Sequence, residues 1–280
     1  MILLDVGRMK QLIHLIGVVF ACGALTGAFA GTETYNGKEM KRVAPVQPTC
    51  DFTWTGFYIG GNAGYGWGNA DTDFDPLPDP VRFINLAPST LEPDPSGFIG
   101  GGQLGYNWQW NKWLVLGAEA DFQGSDIEGH ETDSPIIQNN GTPFPNAGSF
   151  LAAHERIQWL GTVRGRIGFA PICRLLIYGT GGFAYGNIDY SANTNFGNGN
   201  STYPVDFTDT KTGWTAGGGL EYALSNHWTV RAEYLHYDLG NASRTQNQLT
   251  GGVPQGPPFF VRYNFDTSGE IVRAGFNFKF

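Results

Sequence analysis

The sequence predicts an all-β protein: a closed, eight-stranded, antiparallel up-and-down barrel that spans a membrane. Three observations predict it. Eight segments alternate apolar and polar residues, short and long connections follow one another strictly, and ionisable side chains recur on the face opposite large aromatics. The composition agrees, because 41 glycines, 14 % aromatic and only 15 % charged residues are typical of short strands and turns.

The N-terminal segment has the three parts of a secretory signal peptide. Arg8 and Lys10 precede an apolar stretch over residues 12–25, and the small-residue sequence Ala28-Phe29-Ala30 is suited to cleavage. No later apolar run approaches the roughly 20 residues that a membrane helix needs. The chain is therefore predicted to be exported without a helical anchor.

Three regions are predicted along the chain. Residues 1–30 are a signal peptide whose translation starts at Met1 or at Met9, residues 31–52 are an aperiodic periplasmic leader, and residues 53–280 form the barrel. The net charge of −8 offers no basic surface for nucleic acid. A nucleic-acid partner is therefore not expected.

The eight segments are predicted to be the eight barrel strands. They lie at 54–68, 97–110, 113–123, 156–170, 175–187, 213–224, 228–239 and 270–280. Tight turns are expected around Asn111, Cys173 and Asn226. The other connections, which are long and polar, lie at 69–96, 124–155, 188–212 and 240–269. Outer-membrane barrels have short periplasmic turns and long outer loops, so four long extracellular loops are predicted.

Period-two alternation does not by itself say which face points inward. Tryptophans crowd the strand ends, as expected for aromatic girdles at the two membrane interfaces: Trp54, Trp67, Trp108, Trp110, Trp113, Trp159, Trp214 and Trp228. On the opposite face lie ionisable residues: Glu119, Asp121, Arg164, Arg166, Glu221, Arg231, Glu233 and Arg273. The apolar face is therefore predicted to contact lipid and the charged face to line a narrow lumen.

The lumen charges are predicted to pair, because an unpaired buried charge costs several kcal/mol. Glu119 and Asp121 are expected to face Arg164 and Arg166 on the neighbouring strand. A second arrangement on the far side is expected to join Arg231 to two more carboxylates, Glu221 and Glu233. Structural stabilisation is the favoured role of these pairs, and a selectivity filter is the alternative.

Several segments resemble the small outer-membrane β-barrel proteins of alpha-proteobacteria, known as outer-membrane immunogenic or porin-family proteins and similar to the OmpA membrane barrel. They are WTGFYIGGNAGYGWG (54–68), GTVRGRIGFA (161–170), YGTGGFAYG (178–186), WTVRAEYLHYDLG (228–240) and VRAGFNFKF (272–280). The resemblance implies location in the outer membrane, with lipid and lipopolysaccharide as neighbours and with surface-exposed loops. It also implies insertion by the outer-membrane assembly machinery, which would read Phe276, Phe278 and Phe280.

Within that family the resemblance implies structural proteins, narrow pores or haemin binders rather than one activity. The favoured function is a structural, surface-exposed barrel or narrow low-conductance pore. The alternative is a protein whose loops bind haem or a host ligand, with His130 and His154 as the residues available to the haem iron. A soluble secreted β-protein is a third reading.

Other candidate chemistry is weak. No residue spacing selects a catalytic triad or a metal site, and neither an enzyme nor a resident cofactor is expected. GGGQLG at 100–105 matches a dinucleotide-binding pattern but lies inside a predicted strand rather than at a strand-to-helix turn. Cys50 and Cys173 flank the predicted periplasmic rim, so a disulfide between them is one hypothesis and two free thiols the other.

Overall fold

The computed structural model describes residues 51–77, 89–138, 141–143, 148–197, 201–255 and 260–280. The predicted signal peptide and almost all of the predicted leader, up to residue 50, lie outside the described residues. Within the described part of the chain, no helix has the length and apolarity needed to span a membrane.

The described residues form strands throughout. In chain order they are β1 (Gly56–Asn69), β2 (Thr72–Leu77), β3 (Ser89–Leu91), β4 (Ser96–Gln109), β5 (Leu114–Asp133), β6 (Ser149–Ile172), β7 (Leu175–Phe196), β8 (Ser201–Thr202), β9 (Val205–Ala223), β10 (Trp228–Asn247), β11 (Leu249–Thr250), β12 (Val253–Pro254) and β13 (Phe260–Lys279).

Eight long strands close into a ring. Their order is β1, β4, β5, β6, β7, β9, β10, β13, and every neighbouring pair is antiparallel. The ring closes where β13 pairs with β1, with Lys279 opposite Tyr58 and Ser268 opposite Asn69. This confirms the predicted eight-stranded up-and-down barrel. The short strands β2 and β3 extend the sheet beside the outer part of β13.

The apolar face points outward and the charged face inward, as predicted. Phe57 is 66 % exposed, and Leu104 and Ile167 are similarly open, whereas the intervening polar residues are buried. A soluble protein would have the reverse arrangement. Exposed apolar side chains around a closed ring of strands are what a barrel in lipid requires.

Adjacent strands approach each other closely enough to require glycine at some inward positions. At Gly64 on β1, a Cβ atom would lie 2.7 Å from the Cα of Arg273 on β13, far inside van der Waals contact. Glycine on the polar face therefore reflects close approach of neighbouring strands rather than turn formation.

Six of the eight ring strands, all except β1 and β4, are much longer than predicted, and the three long connections between these six are correspondingly shorter. Residues 124–155, predicted as one loop, instead continue β5 to Asp133 and begin β6 at Ser149. β6 contains 24 residues, whereas a tilted strand crosses the bilayer in about 9–11. The barrel therefore continues well beyond the membrane as an outer extension, formed by the strand ends opposite the tight turns.

In this extension the apolar residues face the interior instead of the outside. The predicted strands therefore end where this reversal begins. In β13, Val261, Tyr263 and Phe265 are fully buried inside the barrel, while Arg262 points outward. The outer surface here meets water rather than lipid, so apolar residues move to the interior as in a soluble β-barrel.

A β-bulge in β6 marks one of these changes of face. The register with β7 shifts between Ile157 and Trp159. Ile157, predicted to face lipid, is 1 % exposed inside the barrel. Gln158, predicted to face the lumen, instead points outward and donates a hydrogen bond to Asp189 at 2.6 Å. An extra residue in one strand of a pair reverses the facing of those beyond it.

The interior contains three layers. At the turn side lies an apolar cluster of Phe52, Trp54, Val115, Ala170, Leu176, Tyr178 and Ala223. A layer of charged residues occupies the middle of the barrel. Above it, inside the outer extension, lies a larger cluster of aliphatic and aromatic side chains around Ile127, Tyr190, Tyr237 and Phe265.

The turn-side cluster corrects two sequence predictions. Trp54, predicted to belong to an interface girdle, is 1 % exposed and packs edge-on against Phe52 at a centroid distance of 4.9 Å. Phe52, assigned to the leader, is also buried in this cluster. The segment that enters β1 therefore folds into the mouth of the barrel.

Candidate functional site

The middle layer contains all eight ionisable residues that the sequence predicted for the lumen. Each is at most 5 % exposed, and four arginines balance four carboxylates. They come from five strands: Glu119 and Asp121 from β5, Arg164 and Arg166 from β6, Glu221 from β9, Arg231 and Glu233 from β10, and Arg273 from β13. We call this set the lumen charge network.

Arg164 lies at the centre of the lumen charge network. Its guanidinium contacts Glu119 at 2.5 Å and Asp121 at 2.9 Å on the neighbouring strand β5. It also contacts Glu233 at 3.1 Å on β10, which is not adjacent to β6 in the ring. One side chain thus connects opposite walls of the barrel.

Arg273 repeats this bridging from the other side. It contacts Glu233 at 2.5 Å on its neighbour β10 and Asp121 at 2.8 Å on β5 across the lumen. The sequence predicted two separate arrangements of ion pairs. The structure has one, because arginine side chains are long enough to reach across a narrow lumen.

The turn-side half of the network is built around Arg166. Its guanidinium contacts Glu221 at 2.8 Å and Glu119 at 3.4 Å, and it lies 3.9 Å from the ring centroid of Tyr178. Arg231 also donates to Glu119 at 2.5 Å. Glu119 therefore accepts from several arginines, and charge-assisted bonds of this kind are the stronger class of protein hydrogen bond.

Neutral side chains that the sequence reading did not single out complete the network. Tyr58 donates to Glu119 at 2.7 Å, Tyr178 donates to Glu233 at 3.0 Å, and Asn277 donates to Glu221 at 2.8 Å. All three are buried on inward faces. The period-two pattern predicts this for Tyr58 and Asn277, whereas the glycine-rich segment that contains Tyr178 gave no clear assignment of faces. A tyrosine on the lumen face is unusual here, since most other aromatics on these strands face lipid. That position could have indicated a hydroxyl group that bonds to the lumen carboxylates.

The outer layer contains a buried acid with no cationic partner among the described residues. Glu155 is 1 % exposed, and its carboxylate lies near the hydroxyl of Thr267 rather than near an arginine or lysine. Nearby, the hydroxyl of Thr267 shares a hydrogen bond of 2.9 Å with Tyr190. Removal from water raises the pKa of Glu155 to about 8; a hydrogen bond from the Thr267 hydroxyl opposes this shift, and the charge of Asp266 adds to it. The outer layer thus holds a carboxyl group that stays neutral near pH 7.

The remaining predicted residues lie at separate places. Phe276 and Phe280 are exposed on the outer face at the turn side, at 54 % and 72 %. His130 and His154 lie directly opposite each other on β5 and β6 in the outer extension. Cys173 forms a disulfide in the turn between β6 and β7. Cys50 lies outside the described residues, so its pairing with Cys173 stays a prediction.

Comparison with known proteins gives the family. The family model described as "Outer membrane protein beta-barrel domain" matches residues 43–254, which is most of the chain. The protein belongs to this family. Its barrel therefore lies in the outer membrane, as the resemblance implied.

Two relatives illustrate the similarity. The chain is 36 % identical over 257 residues to the 31 kDa outer-membrane immunogenic protein of Brucella melitensis, covering 91 % of this chain and 94 % of that one. It is 29 % identical over 220 residues to the 22 kDa outer membrane protein of Rhizobium leguminosarum bv. viciae, covering 76 % and 80 %. Both relatives are named for their location rather than for a catalytic activity.

Among solved structures, the outer membrane protein OprG of Pseudomonas aeruginosa resembles this chain at 12 % identity and a TM-score of 0.41. The match covers 82 % of this chain and 98 % of OprG. The likeness is too distant to support an argument about function.

Removing Arg164 should strongly destabilise the folded barrel. In Arg164→Ala, the three buried carboxylates of Glu119, Asp121 and Glu233 lose a shared cation. We expect the free energy of unfolding in urea to fall by about 3–5 kcal/mol.

The matched control is Arg156→Ala, which removes an outward-facing arginine of the same strand that contacts Asp126 at 3.4 Å. An exposed pair of this kind contributes less than about 1 kcal/mol. Equal unfolding energies for the Arg164 variant and the parent would show that the lumen charge network does not stabilise the barrel.

Glu155→Gln should stabilise the protein at alkaline pH. In the unfolded chain the carboxyl ionises near its ordinary pKa of 4.5, whereas in the folded barrel it ionises only near 8. The raised folded pKa therefore makes the parent lose stability between these two values. At pH 9 the free energy of unfolding of the variant should exceed that of the parent by a few kcal/mol, on the order expected for such a pKa shift. Near pH 4 the two free energies should be equal.

The control for this measurement is Glu128→Gln, which changes an outward-facing, solvent-exposed carboxylate on the adjacent strand. Its unfolding energy should follow that of the parent across the pH range. A Glu155→Gln variant whose stability also follows the parent at every pH would contradict the burial of an unpaired acid.

Proposed function

We propose that this protein is a structural, non-catalytic outer-membrane barrel that is closed to ions and presents its outer extension to the surroundings of the cell. The observation that carries the proposal is the filled interior. Side chains from opposite walls meet in the lumen charge network, and apolar layers lie both below and above it.

Closure is supported at three levels of the barrel. Phe52 and Trp54 pack into the turn-side mouth, and the arginines join strands across the middle. In the outer extension, the rings of Tyr190 and Phe265 pack at a tilt of 43° with a centroid distance of 4.9 Å. A hydrated ion would have to separate packed rings as well as ion pairs. The narrow-pore alternative therefore has less physical support than the structural one.

Display at the cell surface is supported by the outer extension. Its outward face carries polar side chains such as Glu128, Arg156 and Asp189, whereas the membrane-spanning part has exposed aromatics and aliphatics. The interior of the extension is filled by packed apolar side chains. The curated relatives named as immunogenic are consistent with a surface that antibodies reach. We propose the same accessibility for this protein.

The test of closure is conductance in a planar bilayer. The refolded protein should give no stepwise openings in 1 M KCl, under conditions in which a general porin conducts. Heat-modifiable migration on a detergent gel should confirm beforehand that the barrel is folded. Regular openings at low voltage from a folded sample would overturn the proposal and favour the narrow pore.

We further propose that the aromatic C-terminal strand is read by the outer-membrane assembly machinery. The ring of Phe280 is 72 % exposed, while its backbone N–H donates to the carbonyl oxygen of Phe57 at 3.0 Å. Phe280→Ala keeps that backbone bond and removes only the ring. Folded protein in the outer membrane of the producing cell should therefore decrease for this variant.

The control is Phe98→Ala, which removes an outward ring of comparable exposure, 75 %, away from the C-terminal strand. Both variants should refold equally well from urea into detergent, where no assembly machinery acts. Equal cellular amounts of the two folded variants would refute the role of Phe280.

A further inference from the structure

His130 and His154 form a directly opposed cross-strand pair in the outer extension. The register of β5 and β6 places them opposite each other, between Gly129 opposite Glu155 and Glu131 opposite Ala153. Directly opposed residues on antiparallel strands have Cβ atoms about 4.5–5.5 Å apart and project from the same face of the sheet. The two imidazoles therefore stand side by side.

Both side chains point outward into an accessible cleft. Their chain neighbours Gly129, Ala153 and Glu155 are buried inside the barrel, whereas His130 is exposed and His154 half-buried. The cleft has a volume of about 330 Å³. It is bounded by short side chains such as Ala152 and Ser191, which leave room for a hydrated ion next to the rings.

The row of residues continues across two more strands. Ser191 on β7 lies opposite His154, and Asp206 on β9 lies opposite Ser191. All four side chains line the same cleft. Asp206 lies two strands from His154, about 10 Å between Cα atoms, which suits contact with a metal-bound water rather than direct ligation.

The charges around the cleft also favour a cation. The adjacent outward row contains Glu128, Arg156 and Asp189, and its one arginine is already engaged by Asp126 at 3.4 Å and by Glu128 at 4.0 Å. Asp206 adds a further carboxylate in the cleft itself. The carboxylates near the two histidines therefore outnumber the single arginine, Arg156, which is already paired.

We infer that His130 and His154 bind a divalent transition-metal ion such as Zn²⁺ or Cu²⁺. Neutral imidazole is a preferred ligand of these metals. With metal–nitrogen bonds of about 2.1 Å, two cis ligands have nitrogens about 3–3.5 Å apart, which side-by-side histidines reach. Among the described residues no third His, Cys, Asp or Glu joins them in a cluster, so water completes the coordination.

The same geometry argues against a haem held by both histidines. Two axial ligands of a haem iron approach from opposite faces of the porphyrin, whereas this pair projects from one face of one sheet. Side-by-side imidazoles instead occupy adjacent positions on a single ion. Haem ligation by one of the two histidines stays a separate prediction.

The test is calorimetric titration of the refolded protein in detergent with ZnCl₂ at pH 7.5. We expect one zinc ion per barrel. His130→Gln and His154→Gln should each weaken binding by at least about tenfold, because each removes one of the two protein ligands. The control is His227→Gln, which changes an exposed histidine in the turn between β9 and β10 and should leave the affinity unchanged.

A spectroscopic measurement adds an independent readout. Electron paramagnetic resonance of the Cu²⁺ complex should show two equatorial nitrogens in the parent and one in either variant. Absence of zinc binding, or binding that either single variant retains at parental affinity, would overturn the inference. Haemin binding that depends on these histidines without any zinc binding would also overturn it, in favour of a haem site.

Discussion

The packing of the barrel depends on keeping four arginines and four carboxylates together in the buried interior. Each of these charges would be costly to bury alone, and the network removes the cost only if its members meet with good geometry. The contacts of Arg164 and Arg273 with both neighbouring and distant strands show how this is achieved. The ion pairs thereby fix the distance between opposite walls as well as the register of adjacent strands.

That requirement explains several neighbouring features. Glycine is needed at inward positions such as Gly64, where a Cβ atom would collide with Arg273 on the adjacent strand. Tyr58 and Tyr178 supply hydroxyl donors to the carboxylates while their rings fill space around Arg166. The apolar layers on either side restrict the access of water to the charges, and lower effective dielectric strengthens the ion pairs. Under the proposed function, stability and closure arise from the same packing.

Much of this arrangement could be predicted from the sequence, because one pattern controls the membrane-spanning part. Alternation with charges on one face predicts all eight members of the lumen charge network from the sequence alone. Their joining into one cluster was not predictable, since contacts such as Arg164 with Glu233 connect strands that are not adjacent in the ring. The burial of Trp54 was missed for a related reason: an aromatic at a strand end fits an interface girdle and a barrel mouth equally well.

The outer extension was missed because the solvent changes along each strand. Where lipid gives way to water, the apolar residues of β13 move from the outer face to the inner one, and the bulge in β6 shifts the phase as well. If the apolar face is assumed to be the outer one along a whole strand, the predicted strand ends where the surroundings change from lipid to water. The cross-strand pairing of His130 and His154 was not predictable, because it depends on β5 and β6 continuing beyond that boundary.

The most direct test of the central claim is a double-mutant cycle between Arg164 and Glu233, whose side chains meet at 3.1 Å across the lumen. Unfolding free energies would be measured for the parent, Arg164→Met, Glu233→Gln and the double variant in one detergent. The account predicts a coupling energy of about 1.5–3 kcal/mol, because each single variant leaves the other charge with one partner fewer. Additive effects within about 0.5 kcal/mol would contradict a network that joins opposite walls of the barrel.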